Sequence, residues 1–211
     1  MLHKETVEPH TFQIIADLQK KDYLSDFYLV GGTALSLQLG HRISDDIDLF
    51  TPVAFNENEL LLLLQKDFDF IAEKKFNHTL LGYIRNIKTD FVAHQYKILH
   101  PVITEHEISM LSLYDIAAMK FNAITFSGTR LKDFADIYFL LEKISLKEML
   151  NAFVEKYEKV NPYIAAKALT YYADLNPAEK IQVLQKNFTI EKMKKRLQQA
   201  VKYEDRIFER E

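Results

Sequence analysis

Two carboxylates, Asp46 and Asp48, stand two residues apart and follow a pair of adjacent glycines, Gly31 and Gly32. Side chains alternate between the two faces of a strand, so a strand at this point would place both carboxylates on one face. Neighbouring carboxylates repel each other, and a divalent cation with a preference for oxygen ligands, such as Mg²⁺, relieves that repulsion. The spacing predicts a cation site, with two acids at the solvent-exposed mouth of a sheet as the alternative.

The two glycines interrupt an apolar segment at a point where a strand can turn into a helix. Glycine tolerates a positive φ and lets a phosphate approach the backbone N–H groups, and a helix N-terminus favours an anion. The hydroxyl of Thr33 could donate to a phosphate oxygen, or it could simply cap an ordinary turn. The chain contains neither the P-loop nor the dinucleotide-binding glycine motif, so the segment predicts a different type of phosphate cradle.

Further charged residues could complete such a site. Phosphoryl transfer by two cations uses additional carboxylates, and Asp90, within an apolar strand-like segment, is the best candidate for the third. Lys120 lies in an apolar helical stretch, where a lone ammonium is costly, so it needs either a structural ion pair with Asp133 or a triphosphate. Arg130, Asp133 and Asp136 recur at spacings of three, which places them on one helix face.

Periodicity divides the chain into two regions. We predict an opening helix over residues 8–20, strands at 27–30, 47–50, 68–72, 79–84 and 88–96, and helices at 33–39 and 59–66. From residue 112 the pattern is helical, and it predicts helices at 112–126, 130–143, 146–158, 162–173, 178–186 and 190–208.

The last three strands alternate as an antiparallel meander would. Asn161-Pro162 and Asn176-Pro177 both have the form of helix starts, with a cap residue followed by proline. The fold class is therefore α+β. It consists of a mixed-sheet core over residues 1–110 and a helical C-terminal region over 111–211 that completes the active site.

Composition restricts the class of protein. The 211 residues are 48% hydrophobic, which is enough for a large core, and the absence of cysteine excludes disulfides and thiolate metal sites. No signal peptide is recognisable, and the longest apolar run, Leu60–Leu64, is too short for a bilayer. We therefore expect a cytoplasmic protein that does not contact membranes.

Charge is distributed unevenly along the chain. The net charge of −3 does not indicate a nucleic-acid binder, yet seven Lys or Arg residues against three acids lie between Lys186 and Arg206. This C-terminal segment is either a solvated helix face or a surface that follows a phosphate backbone.

Gly31-Gly32-Thr33-Ala34-Leu35, together with the segment from Leu39 to Phe50, closely resembles the first motif of the AbiEii-type nucleotidyltransferases. These are toxins of a type IV toxin–antitoxin and phage-exclusion system within the DNA polymerase β-like superfamily. The segments Asp115–Lys120 and Arg130–Ile137 resemble later motifs of that family. The resemblance covers about residues 27–142, whereas the remaining C-terminal residues match only in being helical.

The resemblance implies a role for each matching position. Gly32 and Thr33 would contact the nucleotide phosphates, Lys120 would contact the triphosphate, and Asp133 would be an essential acid. Mg²⁺ would be bound by the carboxylates of Asp46 and Asp48, with Asp90 as the third ligand, at a position that varies more within the family than the first motif does. Gly31, Arg42 and Arg130 complete the nucleotide-binding residues, while no chemical role is predicted for His41.

The predicted activity is Mg²⁺-dependent transfer of an NMP from an NTP to an acceptor hydroxyl, with pyrophosphate as the leaving group. The resemblance implies an RNA acceptor, the tRNA 3′ end above all, a toxin that blocks translation, and an antitoxin encoded next to it without stable binding. The alternative is a non-catalytic nucleotide-binding regulatory protein of the same fold. A haloacid-dehalogenase-type phosphatase fits poorly, because the glycines precede Asp46 and Asp48. The oligomeric state and the NTP are not predicted.

Overall fold

The computed structural model describes residues 2–176 and 178–210, and the chain forms two compact units. The first unit comprises Met1–Gly40 and Ser44–Leu111, and the second comprises His41–Ile43 and Ser112–Glu211. All seven described strands belong to the first unit, which gives an α+β fold. The mixed sheet followed by helices confirms the predicted fold class.

The first unit is built on one mixed sheet. Its strands are β1 (Tyr28–Leu29), β2 (Ile47–Thr51), β3 (Ile71–Phe76), β4 (Thr79–Ile84), β5 (Ile87–Ala93), β6 (Ile103–Glu105) and β7 (Ile108–Met110). They lie in the order β3-β4-β5-β2-β1-β7-β6, with β2 parallel to β5, β1 parallel to β7 and the other neighbours antiparallel. The helices of this unit are α1 (Pro9–Gln19), α2 (Gly31–Leu39) and α3 (Glu57–Phe68).

The register of β2 follows from its alternating sequence. Ile47 and Leu49 are fully buried, whereas Asp48 between them is only half-buried. In the parallel ladder with β5, Asp48 lies opposite Asp90. A one-residue slip would move the apolar side chains of β2 out of the core, so burial of Ile47 and Leu49 fixes this pairing.

The antiparallel meander β3-β4-β5 confirms the predicted one, although β3 begins later than expected. Its two turns, Asn77-His78 and Arg85-Asn86, have positive φ at both residues, as two-residue hairpins require. The third hairpin, β6-β7, is not among the predicted strands. Its turn is His106-Glu107, with φ of 52° and 62°, and glutamate is not a usual residue in a left-handed turn.

The second unit is helical. Its helices are α4 (Leu113–Phe126), α5 (Leu131–Leu140), α6 (Leu146–Lys156), α7 (Pro162–Ala168) and α8 (Ile190–Lys202). Ser112 and Ser145 cap α4 and α6 through their hydroxyls, and Glu148 completes a capping box at α6. The fully buried rings of Phe121, Phe134 and Phe153 contribute to the core of this unit.

The predicted helix over residues 178–186 is wrong. This segment instead pairs with His41–Ile43, which belongs to the second unit. The Ile43 N–H donates to the Gln182 carbonyl at 2.9 Å, and the Leu184 N–H donates to the His41 carbonyl at 2.9 Å. Such non-local hydrogen bonds satisfy the backbone without a helix. Pro177, the expected first residue of that helix, lies outside the described residues.

Helix length bears on whether a segment could enter a bilayer. Crossing requires roughly 20 apolar residues, and α4, the longest of the described helices, has 14. Within the described part of the chain, no helix has both the length and the apolar character needed to span a membrane.

The left-handed turn of the β6-β7 hairpin generates a stability prediction. Glu107→Gly should raise the free energy of unfolding by about 0.5–1 kcal/mol, because glycine adopts a positive φ without the steric penalty of a side chain. The ion pair that is lost, to Lys20 at 3.6 Å, is exposed and contributes little. Urea unfolding followed by circular dichroism measures the change.

Thr104→Gly in the adjacent strand β6 is the matched control, and it should lower the free energy of unfolding because glycine weakens a strand. A loss of stability in Glu107→Gly as well would contradict the left-handed turn.

Candidate active site

The glycine turn lies directly against one of the predicted acids. Gly31 begins α2 with φ +69°, and a Cβ built on it would lie 2.2 Å from Oδ2 of Asp48. The Val30 N–H donates to the Asp48 carbonyl at 2.9 Å, which holds the turn against β2. The first-turn N–H groups of α2, including that of Gly32, have no partner within the helix, by helix geometry. A glycine is therefore required here both for the backbone conformation and for the approach of a carboxylate.

The hydroxyl of Thr33 has internal partners. Thr33 is fully buried, and its Oγ1 donates to Ser44 Oγ at 3.0 Å and contacts the backbone carbonyl of Asp46. These bonds tie α2 to the segment that leads into β2. The hydroxyl therefore positions the acid-bearing strand, which leaves the backbone N–H of Thr33 as the group suited to a phosphate.

The structure brings the three predicted acids close to one another. Asp48 and Asp90 are register partners on β2 and β5, and Asp46 lies immediately before β2, where its charge acts on Lys88 together with those of Asp48 and Asp90. Asp90 is only 7% exposed, and its Oδ1 is buried with no hydrogen-bond partner among the described residues. A buried carboxylate oxygen without a partner is costly unless a ligand or cation meets it.

Lys88 joins the face of Asp48 and Asp90, although the sequence does not single it out. Its Nζ lies 2.7 Å from Oδ2 of Asp90, two residues further along β5. Burial lowers the pKa of Lys88, but the hydrogen bond to Asp90 and the charges of Asp90, Asp48 and Asp46 more than offset this, so the pKa is raised. The signal in the sequence is the Lys-x-Asp spacing, which puts an ammonium and a carboxylate on one strand face.

The donors on this face fit a divalent cation in chemical type. They are carboxylate oxygens, one of them buried without a partner, which suits Mg²⁺. Over residues 2–176 and 178–210, however, no group of three His, Cys, Asp or Glu side chains is already arranged to hold a metal. The acids face an ammonium instead, so cation binding requires a rearrangement of side chains.

The predicted charged residues of the second unit form a network centred on Asp136. Asp136 is fully buried and accepts hydrogen bonds from Arg42 at 2.7 and 3.0 Å and from His41 at 2.9 Å. Lys120 Nζ lies 2.7 Å from carboxylate oxygens of both Asp136 and Asp133. The structural ion pair of Lys120 with Asp133, one of the two sequence-based alternatives, is therefore present.

Arg130 closes the network at its exposed end. Its Nε and Nη2 donate to Asp133 at 2.8 and 3.0 Å, while its side chain remains 52% exposed. Spacings of three along α5 place Asp133 and Asp136 on one helix face, as predicted. Asp136 is absent from the predicted site residues, although it contacts His41, Arg42 and Lys120.

Burial and charge set the ionisation of this network. Burial raises the pKa of Asp136, but the charges of Lys120 and Arg42 and the hydrogen bonds from His41 and Arg42 outweigh it, so the pKa lies well below its usual value. Burial lowers the pKa of His41, more than Asp136 raises it, which keeps the imidazole neutral at neutral pH. Its Nδ1 is buried without a hydrogen-bond partner among the described residues.

The basic C-terminal segment is partly structural. Arg196 of α8 is buried, donates to Glu142 at 2.9 Å and stacks over the ring of Tyr138 at 3.8 Å. Lys192, Lys195 and Arg206 are exposed around one surface cavity, which Arg196 also lines. Those exposed cations retain the potential to follow a phosphate backbone.

The Asp136 network generates the next prediction. Asp136→Asn should lower the free energy of unfolding at pH 7 by about 3–5 kcal/mol, because buried cations lose their counter-charge. A carboxyl group whose folded pKa is depressed contributes stability above its unfolded pKa, about 4, and this stability is lost as the pH falls further. The difference between wild type and variant should therefore shrink below about pH 4, as measured by urea unfolding at pH 7 and pH 3.

Asp205→Asn is the control, because it removes a carboxylate that is 79% exposed and paired with Lys147 on the surface. Its stability should equal that of the wild type within error at both pH values. A pH-independent loss in Asp136→Asn would argue against a charged Asp136.

The comparisons with known proteins identify a family. The sequence model of one protein family, the nucleotidyl transferase AbiEii toxins of type IV toxin–antitoxin systems, matches residues 13–205. The uncharacterized protein aq_aa25 of Aquifex aeolicus (strain VF5) is 33% identical over 159 residues, 71% of this chain and 75% of that protein.

Solved structures agree in fold. MenT4, a nucleotidyltransferase toxin of Mycobacterium tuberculosis H37Rv, has a TM-score of 0.58 at 12% identity over 90% of this chain and 81% of that chain. JHP933 of Helicobacter pylori has a TM-score of 0.54 at 16% identity over 93% of this chain and 92% of that one. At these identities the likeness concerns the fold alone.

The family match extends over both units, from α1 to beyond the end of α8. It therefore includes the acid face of β2 and β5 as well as the Asp136 network. The chain belongs to the AbiEii family of nucleotidyltransferase toxins of type IV toxin–antitoxin systems, and it is a nucleotidyltransferase.

Proposed function

We propose that the chain transfers an NMP from an NTP to a hydroxyl of RNA, with the tRNA 3′ end as the acceptor and Mg²⁺ as the cofactor. The observation that carries this proposal is the position of Asp48, beside the Gly31 turn on one side and opposite Asp90 on the other. Phosphate-binding backbone groups and cation-binding carboxylates therefore lie next to each other in one unit.

The backbone N–H groups and the acids of the first unit have different roles in the proposed transfer. The backbone N–H groups at the start of α2 bind phosphate oxygens, and Asp46, Asp48 and Asp90 hold Mg²⁺. The chemistry that Mg²⁺ supplies when bound is polarisation of the α-phosphate and neutralisation of the developing negative charge. The acceptor oxygen forms a bond to the α-phosphorus, and the bond to the β-phosphate oxygen breaks to release pyrophosphate. Asp90 is suited to accept the proton of the acceptor hydroxyl.

In this proposal, basic side chains of the second unit bind the nucleotide. Lys120 and Arg42 contact Asp136, and Arg130 contacts Asp133, so three cationic side chains lie in one network. Arginine and lysine side chains form strong charge-assisted hydrogen bonds with phosphate oxygens, such as those of a triphosphate. We therefore retain Lys120, Arg42 and Arg130 as nucleotide-binding residues, with Asp133 as the acid that orients Lys120.

Two arguments support RNA as the acceptor. The family is one of toxins, and transfer to the tRNA 3′ end would block translation. The exposed cations around α8, among them Lys192, Lys195 and Arg206, are of the kind that contact nucleic-acid phosphates. Within this proposal the toxin acts in the cytoplasm in phage exclusion, with an antitoxin encoded beside it that does not bind it stably.

A non-catalytic nucleotide-binding protein is the alternative function. The acids argue against it, because phosphate binding alone does not require carboxylates near the phosphates. A catalytic site requires them, since they supply the cation ligands.

Asp48→Asn should abolish the transfer, because it removes a charged ligand of the cation and leaves the fold intact. The assay incubates the purified protein with each α-labelled NTP, Mg²⁺ and total tRNA, and separates labelled RNA by electrophoresis. EDTA should abolish labelling and added Mg²⁺ should restore it.

Asp45→Asn is the matched control, since Asp45 is adjacent to the acid pair but exposed. It should retain labelling within about twofold, as expected of a surface change. Tight NTP binding in calorimetry with no labelled RNA and no pyrophosphate would favour the non-catalytic alternative.

A further inference from the structure

Lys88 makes a close contact with the acid face. The ammonium lies 2.7 Å from Asp90 Oδ2, while the side chain of Lys88 is 45% exposed and that of Asp90 is 10% exposed. The charges of Asp46 and Asp48 also act on it, after that of Asp90. Lys88 therefore lies in the field of the same three carboxylates that are proposed to hold Mg²⁺.

An ammonium and a divalent cation compete for the same electrostatic position. Both neutralise neighbouring carboxylates, but an ammonium reaches Asp90 through only one of its oxygens and leaves Oδ1 buried without a partner. The pairing of Asp48 with Asp90 would be destabilised by like-charge repulsion if no cation were near. An internal cation thus stabilises the acid face when metal is absent.

We propose that Lys88 is an exchangeable counter-cation, which occupies Asp90 in the metal-free protein and must leave it when a divalent cation binds. This inference rests on the proposed function, in which Asp46, Asp48 and Asp90 bind the metal. The exposed, flexible side chain of Lys88 can swing into solvent without disturbing β5, whose backbone is held by β2 and β4. Lys88 thereby weakens metal binding while it stabilises the metal-free strand pair.

Lys88→Met tests the exchange, because methionine keeps an unbranched side chain of nearly the same length and removes the charge. The dissociation constant for Mn²⁺, measured without nucleotide by electron paramagnetic resonance or calorimetry, should fall by roughly five- to tenfold. The melting temperature in EDTA should fall as well, and the increase in melting temperature on adding Mn²⁺ should be larger than in the wild type.

Two further variants define the comparison. Lys88→Arg keeps the positive charge and should bind Mn²⁺ as the wild type does. Lys74→Met removes an exposed lysine of β3 in the same sheet and should change neither the Mn²⁺ dissociation constant nor the melting temperature.

An equal or weaker Mn²⁺ affinity in Lys88→Met, with wild-type binding intact, would overturn the counter-cation role and leave the proposed function standing. Absence of Mn²⁺ binding in every form, together with no transfer to RNA, would overturn both the inference and the metal-dependent function. The expected result supports the inference without any measurement of activity.

Discussion

The parallel pairing of β2 with β5 is the constraint on which the candidate site depends. It sets Asp48 directly beside Asp90, an arrangement that electrostatics alone would disfavour. The opposite face of β2 is what enforces it, because Ile47 and Leu49 are fully buried and any slip of register would expose them. Burial of apolar side chains on one face of β2 thus keeps two carboxylates side by side on the other face. A cation bound between them would relieve their repulsion.

The glycine turn depends on the same pairing. Once the register fixes Asp48, its carboxylate occupies the space where a side chain of residue 31 would be, so residue 31 must be glycine. The hydroxyl of Thr33 then ties the first turn of α2 to Ser44 and to the backbone of Asp46. The helix N-terminus and the acids are consequently positioned by shared contacts, so a change in either one moves the other.

The sequence predicts local patterns better than non-local partners. Alternation identifies β2, β4 and β5, and the glycines with the acid pair identify the elements of the site. The β6-β7 hairpin escapes prediction because its turn, His106-Glu107, contains no Gly, Asn or Asp, the usual turn signals. The helix predicted over residues 178–186 fails because that segment pairs with residues far away in sequence. Lys88 is a different case, since its close partner, Asp90, lies two residues away on the same strand, and the Lys-x-Asp spacing was a local signal.

The buried carboxylates Asp136 and Asp90 differ in how many of their oxygens have a partner. This difference distinguishes an acid with a structural role from one proposed to bind a ligand. Asp136 is saturated, with hydrogen bonds or ion pairs from His41, Arg42 and Lys120 to its two oxygens. Asp90 has one lysine on one oxygen and a buried oxygen without a partner among the described residues. A saturated carboxylate gains nothing from a metal, whereas an undersaturated one does. The proposed cation site therefore lies on the face of Asp90, whereas Asp136 holds the basic side chains of its own unit in place.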